Sequence, residues 1–360
     1  MPKFFEKAIR PLLFRLDAER AHDLGIKALS LGLVPRPRIG DNEIARIKEV
    51  FGPIRRFGIE FSNPLGIAAG FDKNAVVVNQ LAELGFGFVE VGTVTFEPQP
   101  GNPKPRLFRL ADDQALINRL GFNNEGAEKI AARLSKLERR CIVGVNIGRN
   151  KEVANEDAVA NYLNTFEKIH PVADYITVNV SSPNTPDLRD LQSPENLKAL
   201  MSAIETKNIE LGAKPLLVKI APDLGDLEIE MIAKLCVKSG ISGIIATNTT
   251  LSREGLKTPN IEQFGAGGLS GRPLAERSNT VISKIYRHSS GKLPIIGVGG
   301  IFSPDDAFKK IAAGASLLQA YTGFVYAGPS FACSVLSGLA TILSRRGFSS
   351  LDAAIGSDVD

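Results

Sequence analysis

Eight short apolar runs, each followed by a helical pattern, constrain the fold of this chain more than any other feature. They predict strands at residues 65–70, 88–93, 142–147, 175–180, 216–220, 243–247, 295–299 and 317–322. The helical patterns lie at residues 75–84, 125–137, 157–169, 194–207, 227–238, 275–287, 304–312 and 331–345. Parallel neighbouring strands need a crossover helix, so this alternation predicts parallel βα units. Eight such units can close into a (β/α)8 TIM barrel.

Polar side chains recur at the C-terminal end of nearly every predicted strand. An open doubly wound sheet, the alternative fold, gathers its functional groups at one switch point, so this recurrence favours the barrel. In chain order, the groups include Lys73, Thr93, Asn146, Asn179, Lys219, Thr247, Gly300 and Tyr321.

The glycines after the seventh strand predict a phosphate site. Gly299 and Gly300 would expose backbone N–H groups near a helix N-terminus, and barrels commonly hold phosphate after strands seven and eight. Residues 265–271 supply further glycines. The alternative interpretation of this segment is an ordinary tight turn.

Two lysines, Lys73 and Lys219, stand at strand ends instead of on helix faces. If both face one ligand whose phosphate lies at the far side, they suit flavin mononucleotide (FMN). A lysine near the flavin ring stabilises its anionic reduced form. Alternatively, the two lysines are solvated residues of the barrel rim.

The segment Asn-Val-Ser-Ser-Pro-Asn-Thr at residues 179–185 concentrates hydrogen-bonding groups at one strand end. Ser182 is the candidate base, provided that a relay removes the proton and a cofactor takes the electrons. No His–Asp pattern surrounds it, so acyl transfer is disfavoured. Asparagines at five such positions could bind a planar acid, or could only cap turns: they are Asn118, Asn146, Asn179, Asn184 and Asn248.

The chain is predicted to have an N-terminal helical extension at residues 1–40, a catalytic barrel at 41–345 and a loose tail at 346–360. The extension carries apolar residues at helical spacing and basic residues beside them, and residues 35–40 predict a linker. Such an amphipathic pair can lie in a bilayer interface, or can cap the end of the barrel.

Composition limits the classes of function. The 360 residues are 44% hydrophobic and 23% charged, with a net charge of +4, which does not argue for nucleic acid binding. Three separated cysteines and three scattered histidines predict neither a disulfide framework nor a metal site. No apolar run reaches the roughly 18 residues of a transmembrane helix, and no signal peptide is expected.

Several motifs together resemble the dihydroorotate dehydrogenase family over residues 4–345. They include Ala-Ala-Gly-Phe-Asp-Lys, Glu-Val-Gly-Thr-Val-Thr, Asn-Arg-Leu-Gly-Phe-Asn-Asn, Asn-Val-Ser-Ser-Pro-Asn-Thr, Thr-Asn-Thr-Thr and Gly-Val-Gly-Gly-Ile. The N-terminal extension and a serine at the base position resemble the class 2, quinone-dependent, membrane-associated members. The resemblance implies oxidation of (S)-dihydroorotate to orotate in pyrimidine (UMP) biosynthesis, with FMN as cofactor and a membrane quinone as electron acceptor.

The resemblance also implies roles for residues of this chain, with Ser182 as the catalytic base. FMN would contact Ala69, Gly70, Phe71, Asp72, Lys73, Thr93, Asn146, Asn179, Lys219, Thr247, Gly271, Gly300, Tyr321 and Thr322. Dihydroorotate or orotate would contact Lys73, Asn118, Arg119, Leu120, Gly121, Phe122, Asn179, Asn184, Asn248 and Thr249. The quinone tunnel would involve His22, Arg106 and Tyr321.

The expected location is peripheral, at the cytoplasmic face of the cell membrane. One alternative function is a class 1 enzyme that uses fumarate or NAD, which the absence of a cysteine in residues 179–185 disfavours. The other is a flavoprotein that binds FMN at a membrane without turnover, which the presence of Ser182 and the asparagines disfavours.

Overall fold

The computed structural model describes residues 5–37 and 40–359. Residues 1–4, where the first predicted helix begins, lie outside the described residues. So do residues 38–39, at the centre of the predicted linker, and residue 360 of the tail.

The strands are short and are numbered here along the chain. They are β1 (Ile54–Arg56), β2 (Ile59–Phe61), β3 (Leu65–Ile67), β4 (Phe88–Val94), β5 (Leu107–Leu110), β6 (Ala115–Asn118), β7 (Ile142–Ile147), β8 (Tyr175–Asn179), β9 (Leu216–Ile220), β10 (Gly243–Ala246), β11 (Gly268–Gly271), β12 (Ile295–Val298) and β13 (Leu317–Ala320).

Eight of these strands form a closed parallel barrel, so the predicted TIM barrel is confirmed. Their order is β3, β4, β7, β8, β9, β10, β12 and β13, and β13 pairs back onto β3. Each begins at the residue predicted from sequence, although β3 ends at Ile67 rather than at residue 70. Strands buried on both faces read as continuous apolar runs, and all five residues of β9 are buried.

Helices surround the barrel and precede it. The α-helices are Arg10–Leu13, Ala18–Ser30, Asp41–Phe51, Val78–Glu83, Ala127–Ser135, Ala158–Ile169, Pro194–Glu210, Asp226–Lys238, Ala275–His288, Pro304–Ala312, Thr322–Ala327, Phe331–Arg345 and Leu351–Ala354, after a π-helical turn at Phe5–Ile9. Short 3-10 turns lie at Asn155–Asp157, His170–Val172, Leu188–Gln192, Ile261–Phe264 and Arg272–Leu274.

Local chemistry explains where helix Pro304–Ala312 begins. The Ser303 hydroxyl accepts from the backbone N–H of Asp306 at 3.2 Å, and the Asp306 carboxylate accepts from the N–H of Ser303 at 2.9 Å. This reciprocal capping satisfies two backbone N–H groups at the start of the helix. Pro304, at the first helical position, has no N–H group that would need a partner.

Three antiparallel strands form a small sheet above the barrel that the sequence did not predict. β6 lies between β5 and β11, and the sheet buries Leu110, Ala115, Ile117 and Leu269. The Asp113 carboxylate holds the loop between β10 and β11, because it accepts from the backbone N–H groups of Lys257 and Thr258 at 2.7 and 3.0 Å. This sheet forms one wall of the cavity described below.

A buried ion pair attaches the N-terminal extension to the barrel. Both side chains of the Glu19–Arg106 pair are almost fully buried, and Arg106 Nη2 lies 2.8 Å from Glu19 Oε1. Burial acts to raise the pKa of Glu19, but hydrogen bonds and charge from Arg106 and Lys104 lower it overall. The extension therefore packs on the barrel through a charged contact that is largely shielded from water.

Within the described residues, no helix has both the length and the apolar character that crossing a bilayer requires.

The predicted loose tail is wrong for residues 346–359. Helix Leu351–Ala354 buries Leu351 completely, and the backbone N–H groups of Gly356 and Asp358 donate to carbonyls of helix Pro304–Ala312. The apolar residues of the segment are interspersed with glycine, serine and aspartate, and their burial depends on neighbours that are distant in sequence, so composition alone did not reveal it.

Replacing Leu351 by alanine should lower the free energy of unfolding by about 2–5 kcal/mol, because it leaves a cavity in a packed contact. Leu211→Ala, at a position that is 44% exposed, is the control and should change it by less than about 0.5 kcal/mol. Urea denaturation measures both. Equal effects for the two variants would mean that the tail does not stabilise the barrel.

Candidate functional site

A cavity opens at the C-terminal ends of the barrel strands, where TIM barrels carry their sites. The predicted residues that line it are Ala69, Gly70, Lys73, Thr93, Asn118, Leu120, Gly121, Phe122, Asn179, Ser182, Asn184, Lys219, Thr247, Asn248, Thr249, Gly271, Gly300, Tyr321 and Thr322. Residues from seven of the eight barrel units and from the small sheet therefore meet around one space, and Asn146 of β7 lies behind them.

One end of the cavity is built from glycines at positions where a side chain would clash or would strain the backbone. Gly300 has a φ of 76°, and a Cβ there would lie 2.9 Å from the backbone nitrogen of Ala275. Gly271 has a φ of 105°. Nearby, the hydroxyls of Ser270 and Thr322 are hydrogen bonded at 2.9 Å. Exposed backbone N–H groups and hydroxyls make this end suitable for a phosphate.

A chain of amides forms the floor. Asn179 Nδ2 donates to Thr93 Oγ1 and to Asn146 Oδ1, both at 3.0 Å. Asn248 Nδ2 donates to Asn179 Oδ1 at 3.3 Å and to Ser181 Oγ at 3.0 Å. The floor is a connected network, so its donors and acceptors are held in fixed directions.

The two lysines bring positive charge into this enclosed space. Burial lowers the pKa of Lys219, although the charge of Glu90 acts to raise it. Burial lowers the pKa of Lys73 to about 8, against the raising effect of Glu19 and Asp23. Neither Nζ donates a hydrogen bond within the described part of the chain. Each ammonium is therefore available to an anionic ligand.

Ser182 lies on the loop after β8 and is almost fully buried. Its Oγ accepts from the backbone N–H of Asn184 at 3.3 Å, which leaves its own proton free. Asn184 Nδ2 in turn donates to Asn118 Oδ1 at 3.2 Å. Within the described residues, neither a histidine nor a carboxylate is hydrogen bonded to Ser182.

An aromatic series leads from the N-terminal extension to the cavity wall. His22 packs edge-on against Phe71 with ring centroids 5.2 Å apart, and Phe71 packs edge-on against Tyr321 at 5.7 Å. Burial and the charge of Lys73 lower the pKa of His22 to about 3, so its ring is neutral at physiological pH. Burial raises the pKa of Tyr321 well above its ordinary value.

Several predicted contact residues do not reach the cavity wall. Asp72 accepts from the backbone N–H groups of Val76 and Val77 at 2.8 and 2.7 Å, so its carboxylate shapes the loop instead. The Arg119 guanidinium lies over the ring of Phe108, 4.5 Å from its centroid.

Four further predicted residues lie behind the cavity wall, where each contacts other side chains of the protein. Phe71 packs between aromatic rings, and Asn146 forms a layer beneath the amide floor. His22 and Arg106, proposed for a tunnel, lie behind the wall on the side of the extension.

Sequence reasoning missed polar residues that lie inside strands of the barrel and of the small sheet. Gln319 and Ser270 line the cavity, and Gln319 Oε1 is buried without a hydrogen-bond partner. Glu90 is fully buried within β4. A single charged or amide side chain within an apolar strand was the available signal. Thr185, whose hydroxyl is also buried and unpaired, lies within the segment that was singled out.

The described residues contain no cluster of three or more histidine, cysteine, aspartate or glutamate side chains that could hold a metal ion.

Comparison with known proteins identifies the family. A family model described as Dihydroorotate dehydrogenase matches residues 54–343. The chain belongs to the dihydroorotate dehydrogenase family. It is 50% identical over 364 residues to Dihydroorotate dehydrogenase (quinone) of Thermobifida fusca, which covers 97% of this chain and 95% of that relative. It is 48% identical to the protein of the same name from Mycolicibacterium smegmatis, covering 98% and 99% of the two chains.

A solved structure supports the same assignment. The ligand-free dihydroorotate dehydrogenase of Eimeria tenella superposes with a TM-score of 0.87 at 39% identity, covering 95% of this chain and 99% of that one. The family implies a flavin cofactor. The cavity of this chain fits one, because it has a glycine-lined end, a buried unpaired acceptor on Gln319 and the free ammonium of Lys219.

Gly300→Ala should lower the free energy of unfolding by about 1–3 kcal/mol, since the new Cβ meets Ala275 and the left-handed φ strains alanine. Gly25→Ala is the matched control, because nothing lies within 4 Å of that Cβ and alanine favours a helix. Denaturant unfolding measures both. A Gly300→Ala protein as stable as Gly25→Ala would show that the turn tolerates a side chain.

Proposed function

We propose that this chain oxidises (S)-dihydroorotate to orotate with FMN and passes the electrons to a membrane quinone, in pyrimidine biosynthesis. The observation that carries the proposal is the shared cavity of Ser182, Lys73, Lys219 and the glycine-lined end. A base, two cations and a phosphate seat around one space are what this reaction needs.

The proposed division of the cavity follows from charge and shape. The FMN phosphate would lie at Gly271, Gly300 and Thr322, and Lys219 would stand near its ring. FMN, when bound, supplies hydride acceptance and later electron release. Lys219 favours the reduced ring because an ammonium in a low-dielectric site stabilises negative charge strongly.

Orotate is a flat acid with amide-like edges, dihydroorotate shares those edges and the carboxylate, and the opposite side of the cavity complements both. Asn118, Asn184 and Asn248 offer carboxamides, and Thr249 offers a buried hydroxyl without a partner. Lys73 supplies the positive charge for the carboxylate. With its pKa near 8, Lys73 is largely charged below that pH, and the grip on the acid should weaken as pH rises through it.

Ser182 would remove the proton from the substrate carbon. The N–H of Asn184 points at Ser182 Oγ and stabilises negative charge that develops there. Because a serine hydroxyl is a weak base, the proton must move on, and the buried hydroxyl of Thr185 is a candidate for that relay.

The N-terminal extension would place the protein on the cytoplasmic face of the cell membrane, as a peripheral protein. Leu12, Leu31 and Leu33 are 63%, 61% and 69% exposed, and Leu24 is 49% exposed, so large apolar side chains face outward. Exposed apolar area next to basic residues suits a bilayer interface. The His22–Phe71–Tyr321 series lies between this surface and the cavity, where a quinone would receive electrons.

Ser182→Ala should retain bound FMN yet slow anaerobic bleaching of the flavin by dihydroorotate roughly 10²–10⁴-fold, since the proton loses its acceptor. Ser182→Cys is the control, because a thiol of similar size ionises more easily and should bleach faster than alanine. Stopped-flow absorbance measures all three proteins. Wild-type bleaching by Ser182→Ala would refute the base assignment, and no bleaching by the wild type would refute the function.

Replacing Leu24 and Leu31 by glutamine should reduce flotation with anionic lipid vesicles and slow turnover with a bilayer-embedded quinone. Turnover with a water-soluble quinone should not change, because the cavity is untouched. The control pair is Leu211→Gln with Leu227→Gln, whose positions are 44% and 73% exposed, just after helix Pro194–Glu210 and on helix Asp226–Lys238. If both pairs lose vesicle binding equally, the N-terminal face is not the docking surface.

A further inference from the structure

A buried carboxylate lies beneath the amide floor and is not part of the cavity wall. Glu90, on β4, is fully buried. Its Oε1 accepts from Asn146 Nδ2 at 2.9 Å. Its Oε2 accepts from Gln319 Nε2 at 2.9 Å, from the Tyr175 hydroxyl at 3.2 Å and from the Thr177 hydroxyl at 3.3 Å. One oxygen therefore faces the amide floor, and the other faces three donors.

The contact with Glu90 determines which way the Asn146 amide faces the amide floor. Because its Nδ2 faces Glu90, its Oδ1 faces the cavity side, where it accepts from Thr93 Oγ1 at 2.6 Å and from Asn179 Nδ2 at 3.0 Å. Thr93 uses its proton on Asn146 and accepts from Asn179 Nδ2. Both amide protons of Asn179 are thus engaged, and its oxygen must point the other way.

At the other end of this series of hydrogen-bonded amides, a backbone N–H group fixes the orientation. Asn179 Oδ1 accepts from the backbone N–H of Ser181 at 3.3 Å and from Asn248 Nδ2 at 3.3 Å. A backbone N–H can only donate. The hydrogen bonds from Ser181 through Asn179 to Asn146 can therefore all form with only one orientation of the two side-chain amides. That orientation places Asn146 Nδ2 where it needs an acceptor.

We propose that Glu90 is a positioning residue, which holds the amides of Asn146 and Asn179 in one orientation and thereby sets the donor–acceptor pattern of the cavity. The inference rests on the proposed function, because Asn179 and Asn248 face the space assigned to flavin and orotate. Glu90 touches neither ligand, and its effect passes through Asn146.

Glu90→Gln tests this orientation with almost no change in volume. Gln319 Nε2 can only donate, so it draws the carbonyl of the new amide toward itself and leaves the NH2 facing Asn146 Nδ2. Turning Gln319 instead would leave its own NH2 at the buried position where its Oε1 has no partner. The NH2 groups of the new amide and of Asn146 would then face each other. Turning the Asn146 amide would instead place its NH2 against the NH2 of Asn179. Since Ser181 N–H cannot reverse, one buried group stays unpaired.

The matched control is Tyr175→Phe. It removes one hydrogen bond to the same carboxylate but leaves the acceptor beside Asn146 in place. A rescue variant exchanges the two neighbouring side chains, as Glu90→Gln with Gln319→Glu. In it, a carboxylate at 319 accepts the NH2 of the amide at 90, whose carbonyl can again accept from Asn146.

The experiment measures two properties of the same flavin-loaded protein: the dissociation constant of orotate, from the change in flavin absorbance, and the side-chain amide NMR signals of asparagine. Glu90→Gln should weaken orotate binding about tenfold, as expected for one unpaired buried group. It should shift the signals of Asn146 and Asn179. Tyr175→Phe should alter neither, and the exchanged pair should recover most of the affinity.

The outcomes separate the two claims. If the wild-type protein fails to bind orotate, the proposed function is wrong. If it binds and Glu90→Gln binds equally well with unshifted amide signals, only the positioning role is wrong. Should Glu90→Gln not fold, the exchanged pair decides: recovered folding with wild-type affinity supports the role, and folding with tenfold weaker binding contradicts it.

Discussion

The hydrogen-bonded closure between the first and last barrel strands is the constraint on which the site depends. Leu318 and Ala320 of β13 pair with Leu65 and Ile67 of β3. Closure turns all eight strands so that their C-terminal ends open on one face. It sets the loop that carries Lys73 beside Tyr321, although these residues stand near opposite ends of the sequence. Without it, the glycine-lined end and the cations would line separate edges of an open sheet.

The charges around this space show how the barrel tolerates ionisable groups inside. Lys219 and Lys73 are both shifted toward the neutral form by burial, and in each case a carboxylate elsewhere opposes the shift. Glu90 does so from within the barrel, and Glu19 does so from the N-terminal extension. Glu19 also pairs with Arg106, so the extension contributes to the electrostatics of the cavity as well as to its covering.

Sequence predicted most of the barrel and much of the site because both have local signals. Each strand is an apolar run, and most of the predicted cavity groups stand at the C-terminal end of one, as Asn179 and Lys219 do. The small sheet was missed because β6 pairs with β11, about 150 residues later, and no local pattern records that partnership. Asp72 and Arg119 were assigned to ligands because motifs name positions, whereas the directions of side chains depend on neighbours that only the fold supplies.

The pairing of β6 with β11 also bears on how the chain is made. A ribosome delivers residues 107–118 long before residue 268, so the apolar side of that hairpin must wait for its third strand. During that interval Ile117 and Leu110 are uncovered, and uncovered apolar hairpin surface favours misassembly or aggregation. Completion of the small sheet is therefore a late step in the synthesis of this chain, since β11 must be made before β6 has both of its partners.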